Sequence, residues 1–298
     1  MISRDRSASS GLVDWALLVL PGVIWGASFL FIAEGLEAVP PDGITFLRFV
    51  IGFATLSMIP NARRAVLPSD RVAIAWLGVL WFAFPMSMFP HAEQHVSSAL
   101  TGMLNGAVPL IATGVAAALA RRLPSRAEMI GLAVGTAGVV LMAVPGLNAG
   151  ASSALGIAQI AAALVSYGVS INLARPLQQR NGALPVVWRA LAVAAMLTAP
   201  LGVPALVVAR WSWRPAIAIL ALGFLGTAVA TVIMTVAAGR LGAVRASATT
   251  FFMPVVALLL GVAVRGEKVA ALAVSGIGLC LVGAWLVRRA TRGNATLR

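Results

Sequence analysis

The sequence is a succession of apolar runs of about twenty residues, the length a helix needs to cross the hydrocarbon core of a bilayer. Ten such runs lie at 15–35, 43–60, 72–90, 97–120, 127–144, 153–174, 184–208, 215–237, 243–264 and 269–287. Pro, Gly, Arg and Asp separate them, as in "PNARRAVLPSDR" and "RRLPSRAE", and every connection is short. Lipid has to be the solvent for most of this chain. Sixty per cent of its residues are hydrophobic and 10% are charged, whereas a soluble domain carries about a quarter charged residues. The first run is too long for the apolar segment of a signal peptide and more spans follow it, so it is expected to persist as the first helix. The expected fold class is an all-α integral membrane protein with ten transmembrane helices.

The formal net charge of +13 would suggest nucleic acid in a soluble protein. Here the basic residues fall between apolar runs and no basic stripe interleaves with aromatics, so no nucleic acid is expected. Their distribution sets the orientation instead. With the N-terminus inside, the cytoplasmic segments hold 16 of the 22 basic residues: Arg4, Arg6, Arg63, Arg64, Arg71, Arg121, Arg122, Arg126, Arg175, Arg180, Arg240, Arg245, Arg288, Arg289, Arg292 and Arg298. The outer segments hold 4, namely Arg210, Arg214, Arg265 and Lys268. Both termini are therefore expected in the cytoplasm, as tails of residues 1–14 and 290–298. A single cysteine, Cys280, excludes an intramolecular disulfide and a cysteine-rich metal site.

The two halves match. Pro109 pairs with Pro254, Gly131 with Gly276, Gly138 with Gly283 and Gly78 with Gly223, each pair 145 residues apart. Earlier in each half the offset drifts: Arg48 and Arg189 are 141 apart, Pro60 and Pro200 are 140 apart, and Trp25-Gly26 lies over Tyr167-Gly168 at 142. Residues 15–148 and 149–289 thus read as two repeats of five spans. An odd number of spans forces the second repeat to enter the membrane from the other side, giving two inverted five-helix repeats with a site expected at their interface.

"PGVIWGASFLF", an Arg in the second run, Pro109 and Pro254 in the fourth and ninth, and "GEKVAALAVSGIGLCLVGAWLV" together resemble the EamA family of the drug/metabolite transporter superfamily. The resemblance covers the chain from about 15 to 289. It implies a basket in which spans 1, 3, 4, 6, 8 and 9 line a central pocket while spans 5 and 10 lie outside. Glu267 matches the family's acidic residue before the last span of a repeat. Arg122 stands at that place in the first half, a departure from the pattern.

Arg48 and Arg189 sit inside apolar runs, each about six residues from a span end, or roughly 9 Å deep. One reading makes them anchors for a substrate carboxylate, one per gate. The other makes them structural, snorkelled to the interface or bonded to carbonyls, and an Arg in the second span whatever the substrate is what the resemblance implies. The polar and aromatic residues expected to face a pocket are Trp25, Ser28, Phe29, Phe82, Met86, Asn105, Ser166, Tyr167, Ser170, Thr227, Thr231 and Thr250. Thr227, Thr231 and Thr235 share one helix face, with the alternative that they are glue bonded to their own i−4 carbonyls. Pro109 and Pro254, at equivalent places, are the candidate gating kinks. The GxxxG patterns Gly22–Gly26, Gly102–Gly106 and Gly131–Gly135 allow close helix approach.

All nine acids fall near span ends or in loops, with Glu34 the deepest, so no midplane proton site is expected. Coupling, if any, would run through Glu34 or the segment His91–His95, whose "HAEQH" does not match a zinc motif. Two intramembrane arginines are too few for phosphorylated cargo. A small neutral or zwitterionic metabolite fits better. The resemblance implies amino acids as common cargo, and the aromatic residues suggest a hydrophobic or aromatic one. Proton-coupled efflux of drugs or other metabolites is the alternative, and a membrane enzyme or receptor the second. The expected partners are substrate and lipid; no cofactor or metal is implied, and a monomer suffices.

Overall fold

The computed structural model describes residues 3–119, 121, 123–148, 151–242 and 246–295. Arg122, Arg245 and Arg298 lie outside the described residues, as do the side chains of Arg4, Arg6, Arg288 and Arg292 and the first residues of the run 243–264. Among the described residues the regular structure is all helical, joined by short turns. It comprises α1 (Ser3–Gly35), α2 (Pro41–Ser57), α3 (Arg71–Leu77), α4 (Phe84–Glu93), α5 (Ser98–Asn105), α6 (Val108–Leu119), α7 (Arg126–Leu147), α8 (Ala151–Asn181), α9 (Ala183–Val207), α10 (Trp213–Gly223), α11 (Ala230–Leu241), α12 (Phe252–Arg265) and α13 (Ala271–Ala295). A π-helical segment, Gly78–Ala83, fuses α3 to α4, and another, Phe224–Val229, fuses α10 to α11. Among the described residues, seven helical segments are long and apolar enough to cross a membrane, and shorter apolar helices follow at Thr249–Arg265 and Ala271–Val287.

Several bounds differ from the sequence-based ones. α1 begins at Ser3 rather than at 15, and α13 runs to Ala295, because neither flank holds a proline. The third run, expected to stop at Pro90, continues to Glu93. Proline denies a donor to the carbonyl four residues back, here that of Met86, and Thr45 Oγ1 lies 3.5 Å from that oxygen. The fourth run is divided at Gly106–Ala107, where Gly106 and Ala107 N–H turn back to Met103 and Leu104 carbonyls. Pro109 withholds the donor that the Asn105 carbonyl would otherwise receive. The equivalent proline, Pro254, stands just after a 3-10 turn at Ser247–Phe251. Each proline is thus preceded by a break in the α-helix.

The halves pack as an antiparallel pair. Gly138 touches α13 so closely that a Cβ there would lie 2.6 Å from the Gly276 carbonyl oxygen, and a Cβ on Gly283 would lie 2.6 Å from that of Gly131. These four are the residues that match at an offset of 145, and the two contacts exchange under it. α7 and α13 therefore run antiparallel with their backbones in contact, as small residues permit. The same holds for α2 against α9, where Gly43 faces Ala205 and Gly202 faces Phe46, and for α5 against α12, where Gly102 faces Ala257 and Gly261 faces Ala99.

The π segments are equivalent too. Phe84 N–H bonds the Val79 carbonyl in one, and Ala230 N–H bonds that of Leu225 in the other. In the first, Pro85 leaves the Leu80 carbonyl without a backbone donor five residues on, and Ser166 Oγ donates to it at 2.6 Å. In the second, Trp25 Nε1 donates at 3.0 Å to Gly226, which holds the same place in its π segment as Leu80 does in the first. Each repeat's first helix thereby bonds the other repeat's π segment.

Candidate functional site

Arg48 rises from the middle of α2 into the interior, with 6% of its surface exposed. Its Nε donates to Thr227 Oγ1 at 3.0 Å, and Thr227 in turn donates to the Leu222 carbonyl at 3.2 Å. Gly52 makes this approach possible, since a Cβ there would lie 2.7 Å from Thr227 Cγ2. Among the described residues that is the guanidinium's only hydrogen bond, so both Nη groups of its planar fork are uncommitted. A permanent cation held this way in an apolar surround calls for an anion.

Three aromatic rings adjoin this interior. Phe29 of α1 meets Phe89 of α4 edge-on at 5.6 Å, and Phe89 lies 5.9 Å from Tyr167 of α8. Tyr167 lies within electrostatic range of Arg48, and its hydroxyl has no hydrogen bond among the described residues. On the same face of α4 as Met86 and Phe89 stands Glu93. Both its carboxylate oxygens are sealed from solvent and neither has a hydrogen-bond partner. The charges it feels are those of Glu267, Arg265 and Arg48. Asn105 of α5 likewise buries an unpartnered Oδ1.

The other candidate residues are placed differently. Thr227 bonds Arg48, and Phe29 and Tyr167 are two of the three rings; Met86 packs against a second apolar cluster, and Asn105 is buried on α5. Trp25 and Ser166 have their donors committed to the π segments. Ser28 bonds the Ile24 carbonyl and Ser170 that of Tyr167. Thr231 and Thr235 bond their own i−4 carbonyls, Thr227 and Thr231. Phe82 is packed against Phe49, rings perpendicular at 6.3 Å, in a second apolar cluster. Thr250 is half-buried on the 3-10 turn before Pro254.

The two arginines are not alike. Arg189 is half-buried, donates to the Pro185 carbonyl one turn back at 3.1 Å, and lies over its neighbour Trp188 at 5.2 Å. It is satisfied locally, as a structural arginine would be. Nor is Glu34 free, since Arg265 holds it at 2.6 Å and Glu37 at 2.9 Å. His91 Nδ1 lies 2.9 Å from the Ser87 carbonyl and its Nε2 3.8 Å from Asp42. Among the described residues no three of His, Cys, Asp and Glu gather as a metal site would require. Glu267 binds the start of α5: it accepts from Ser98 N–H at 3.0 Å, Ser98 Oγ at 2.7 Å and Ala99 N–H at 2.8 Å.

Sequence reasoning missed Glu93. Its signal was the spacing Phe82, Met86, Phe89, Glu93 along one helix face. Ending the span at Pro90 left Glu93 in a loop.

Comparison with known proteins places the chain. The model of the EamA-like transporter family matches residues 15–144 and again 154–289. A protein of Streptantibioticus cattleyicolor named "Probable terminal-alkyne amino-acid exporter" is 28% identical over 94% of both chains. An "Uncharacterized transporter" of Archaeoglobus fulgidus is 22% identical over 92% of this chain and 98% of its own. A crystal structure titled only as that of a protein superposes with a TM-score of 0.58 at 22% identity, covering 94% of this chain and 97% of that one, and so shares the fold.

Proposed function

This chain belongs to the EamA-like transporter family, and we propose that it carries small metabolites, amino acids including hydrophobic or aromatic ones, across the bacterial inner membrane, as an exporter or facilitator. Residues 15–148 and 149–289 act as two inverted repeats of five spans each, ten in all, with both termini cytoplasmic. Alternating access comes from their rocking about the antiparallel pairs α2–α9, α5–α12 and α7–α13, with the breaks before Pro109 and Pro254 as the bending points. The repeats' shared packing supports this reading, as does the amino-acid exporter named among the relatives.

The observation that carries the proposal is Arg48. Its buried, uncommitted fork is the group that would bind a carboxylate in a two-pronged grip, and the rings of Phe29, Phe89 and Tyr167 offer an apolar side chain somewhere to lie. The test is counterflow in proteoliposomes loaded with unlabelled leucine or phenylalanine and supplied with the labelled compound outside. Saturable uptake is expected, reduced by Arg48→Gln on the order of a hundredfold, the value of a lost charge-assisted bond in a dry site. Arg189→Gln should leave it within about twofold, since that side chain bonds only its own helix. No saturable uptake of any amino acid by folded protein would overturn the proposal, and so would full activity in Arg48→Gln.

The buried Glu93 carboxylate favours a second reading, proton-coupled efflux of a cationic drug. Arg48 opposes it, because a cation entering the same interior would face an unpaired guanidinium.

A further inference from the structure

Among the described residues, every buried side-chain polar atom without a partner is an acceptor oxygen: both of Glu93, Oδ1 of Asn105 and Oε1 of Gln159. An unmet buried acceptor is costly and uncommon, and a carboxylate unmet at both oxygens inside a membrane protein marks a functional position. What such oxygens lack is a donor.

Their placement relative to Arg48 follows from the helix register. Thr45 meets Met86 and Phe49 meets Phe82, so α2 runs antiparallel to the π segment and α4. Arg48 then stands level with residue 83, and Glu93 lies ten residues beyond, roughly 15 Å along the helix axis. A helical side chain leans toward the N-terminus of its own helix. In an antiparallel pair the two N-termini lie at opposite ends, so Arg48 and Glu93 lean toward each other and shorten that span from both sides. Phe89 stands one turn before Glu93, between the two levels. α5 returns antiparallel after the short turn at 94–97, which brings Asn105 back to about the level of Met86.

The charges around Glu93 do not silence it. Arg265 is held by Glu34 and Glu37, and Glu267 is spent on the start of α5. Arg48 faces it electrostatically without bonding it. One end of the interior therefore lacks an acceptor for its cation, and the other lacks a donor for its oxygens. A zwitterion supplies both.

We infer that Glu93, assisted by Asn105, is the recognition site for the substrate's ammonium group, so that the cargo must carry a free amine as well as a carboxylate. An ammonium brings three N–H donors and no acceptor, the complement of the oxygens found here. This deepens the reading proposed above and rests on it. N-acylated amino acids, which keep the carboxylate but lose the charge and two of the donors, are excluded by Glu93. Simple amines are excluded by Arg48.

The experiment uses the full-length protein in proteoliposomes. Counterflow of labelled phenylalanine is competed with phenylalanine, N-acetylphenylalanine and phenethylamine, in the wild type, Glu93→Gln and Asn105→Leu, with and without a pH gradient. The wild type should favour phenylalanine over its N-acetyl derivative on the order of tenfold to a hundredfold, the value of one charge-assisted contact. Glu93→Gln should lose most of that ratio, and Asn105→Leu part of it, while the carboxylate requirement persists. A uniform loss for all competitors would mark a structural role and overturn the inference. So would an unchanged ratio accompanied by loss of pH sensitivity, which would make Glu93 a proton carrier instead. Should Glu93→Gln fail to fold, Glu93→Asp replaces it: a shortened carboxylate keeps the charge and should weaken phenylalanine selectively. Absence of amino-acid counterflow in the wild type would sink the parent proposal. Counterflow by a wild type that does not discriminate the N-acetyl derivative would sink only this inference.

Discussion

Glu267 holds one end of the first repeat's α5 from the second repeat, and its removal should be felt there first. Its carboxylate accepts from Ser98 N–H, Ser98 Oγ and Ala99 N–H, all within 3.0 Å. These two N–H groups are among the four that a helix start leaves without partners, and the carboxylate sits where the helix dipole favours negative charge. Ser97 adds its own cap to Leu100 N–H at 3.2 Å, so the start of α5 is not left bare by the substitution. Charge-assisted bonds contribute about 1.5–3 kcal/mol each in closed sites. Glu267 is half-exposed, so water can replace part of the loss. Glu267→Ala should therefore destabilise the protein by about 2–3 kcal/mol in total rather than by three full bonds. For a chain of this length that lowers the melting temperature by roughly 5–10 °C, measurable by thermal unfolding in detergent. Glu267→Gln retains one acceptor oxygen but turns an amide NH₂ toward a donor, and should lose nearly as much. A melting temperature unchanged in both variants would show that water caps α5 as well as the carboxylate does, and the cross-repeat anchor would have no energetic weight.

The remaining predictions test the symmetric framework. Ser166→Ala leaves the Leu80 carbonyl with no donor, because Pro85 cannot supply one, and should cost about 1–3 kcal/mol; Trp25→Phe keeps the ring, loses the bond to Gly226, and should cost less in the same thermal assay. Gly138→Leu forces a side chain against the Gly276 backbone, which cannot yield as a side chain would, so a loss of about 3 kcal/mol or more, or failure to recover folded protein on size-exclusion chromatography, is expected. Thr231→Val and Thr235→Val remove hydroxyls bonded only within their own helix, and should change both stability and counterflow by less than about 1 kcal/mol.

The helical layout was legible because lipid permits little else. Apolar runs, Arg-rich breaks and matched glycines are one-dimensional signals, and the seam between α7 and α13 joins the very glycines that the repeat aligned. Side-chain commitments were less legible. Ser166 and Trp25 look like pocket residues in sequence, and only the π segments show which carbonyls bind them. The threonine stripe could be read either way until its hydroxyls were seen bonded back along the helix. Glu93 was hidden by Pro90, which reads as a breaker in sequence, whereas the helix runs through it to Glu93.

The repeats are alike in framework and unlike in chemistry, and this difference bears on how one site can serve both faces of a membrane. π segments and proline breaks recur in both halves and the antiparallel helix pairs join them, so under the proposed alternating access the two end states would be near exchanges of one another at similar energy. A second deep arginine at Arg189 would give each half its own anion site, and cargo would be held as tightly at the exit as at the centre. Instead Arg189 turns to its own helix and to Trp188, while Arg48 keeps its fork open beside Thr227 of the other half. The one bond that fixes Arg48 thus spans the two repeats. Under the proposed rocking of the repeats that bond would strain or re-form, so the proposed anion site and the conformational change would share a residue. Breaking that bond with Thr227→Val, which also removes the hydroxyl's bond to the Leu222 carbonyl, should leave the fork in place but loosen its aim. Affinity for phenylalanine should then fall by roughly tenfold while a cross-link between α7 and α13 forms as readily as before. Unaltered affinity would mean that Arg48 is positioned by packing alone, and that the substrate site is not tied to the relative placement of the repeats.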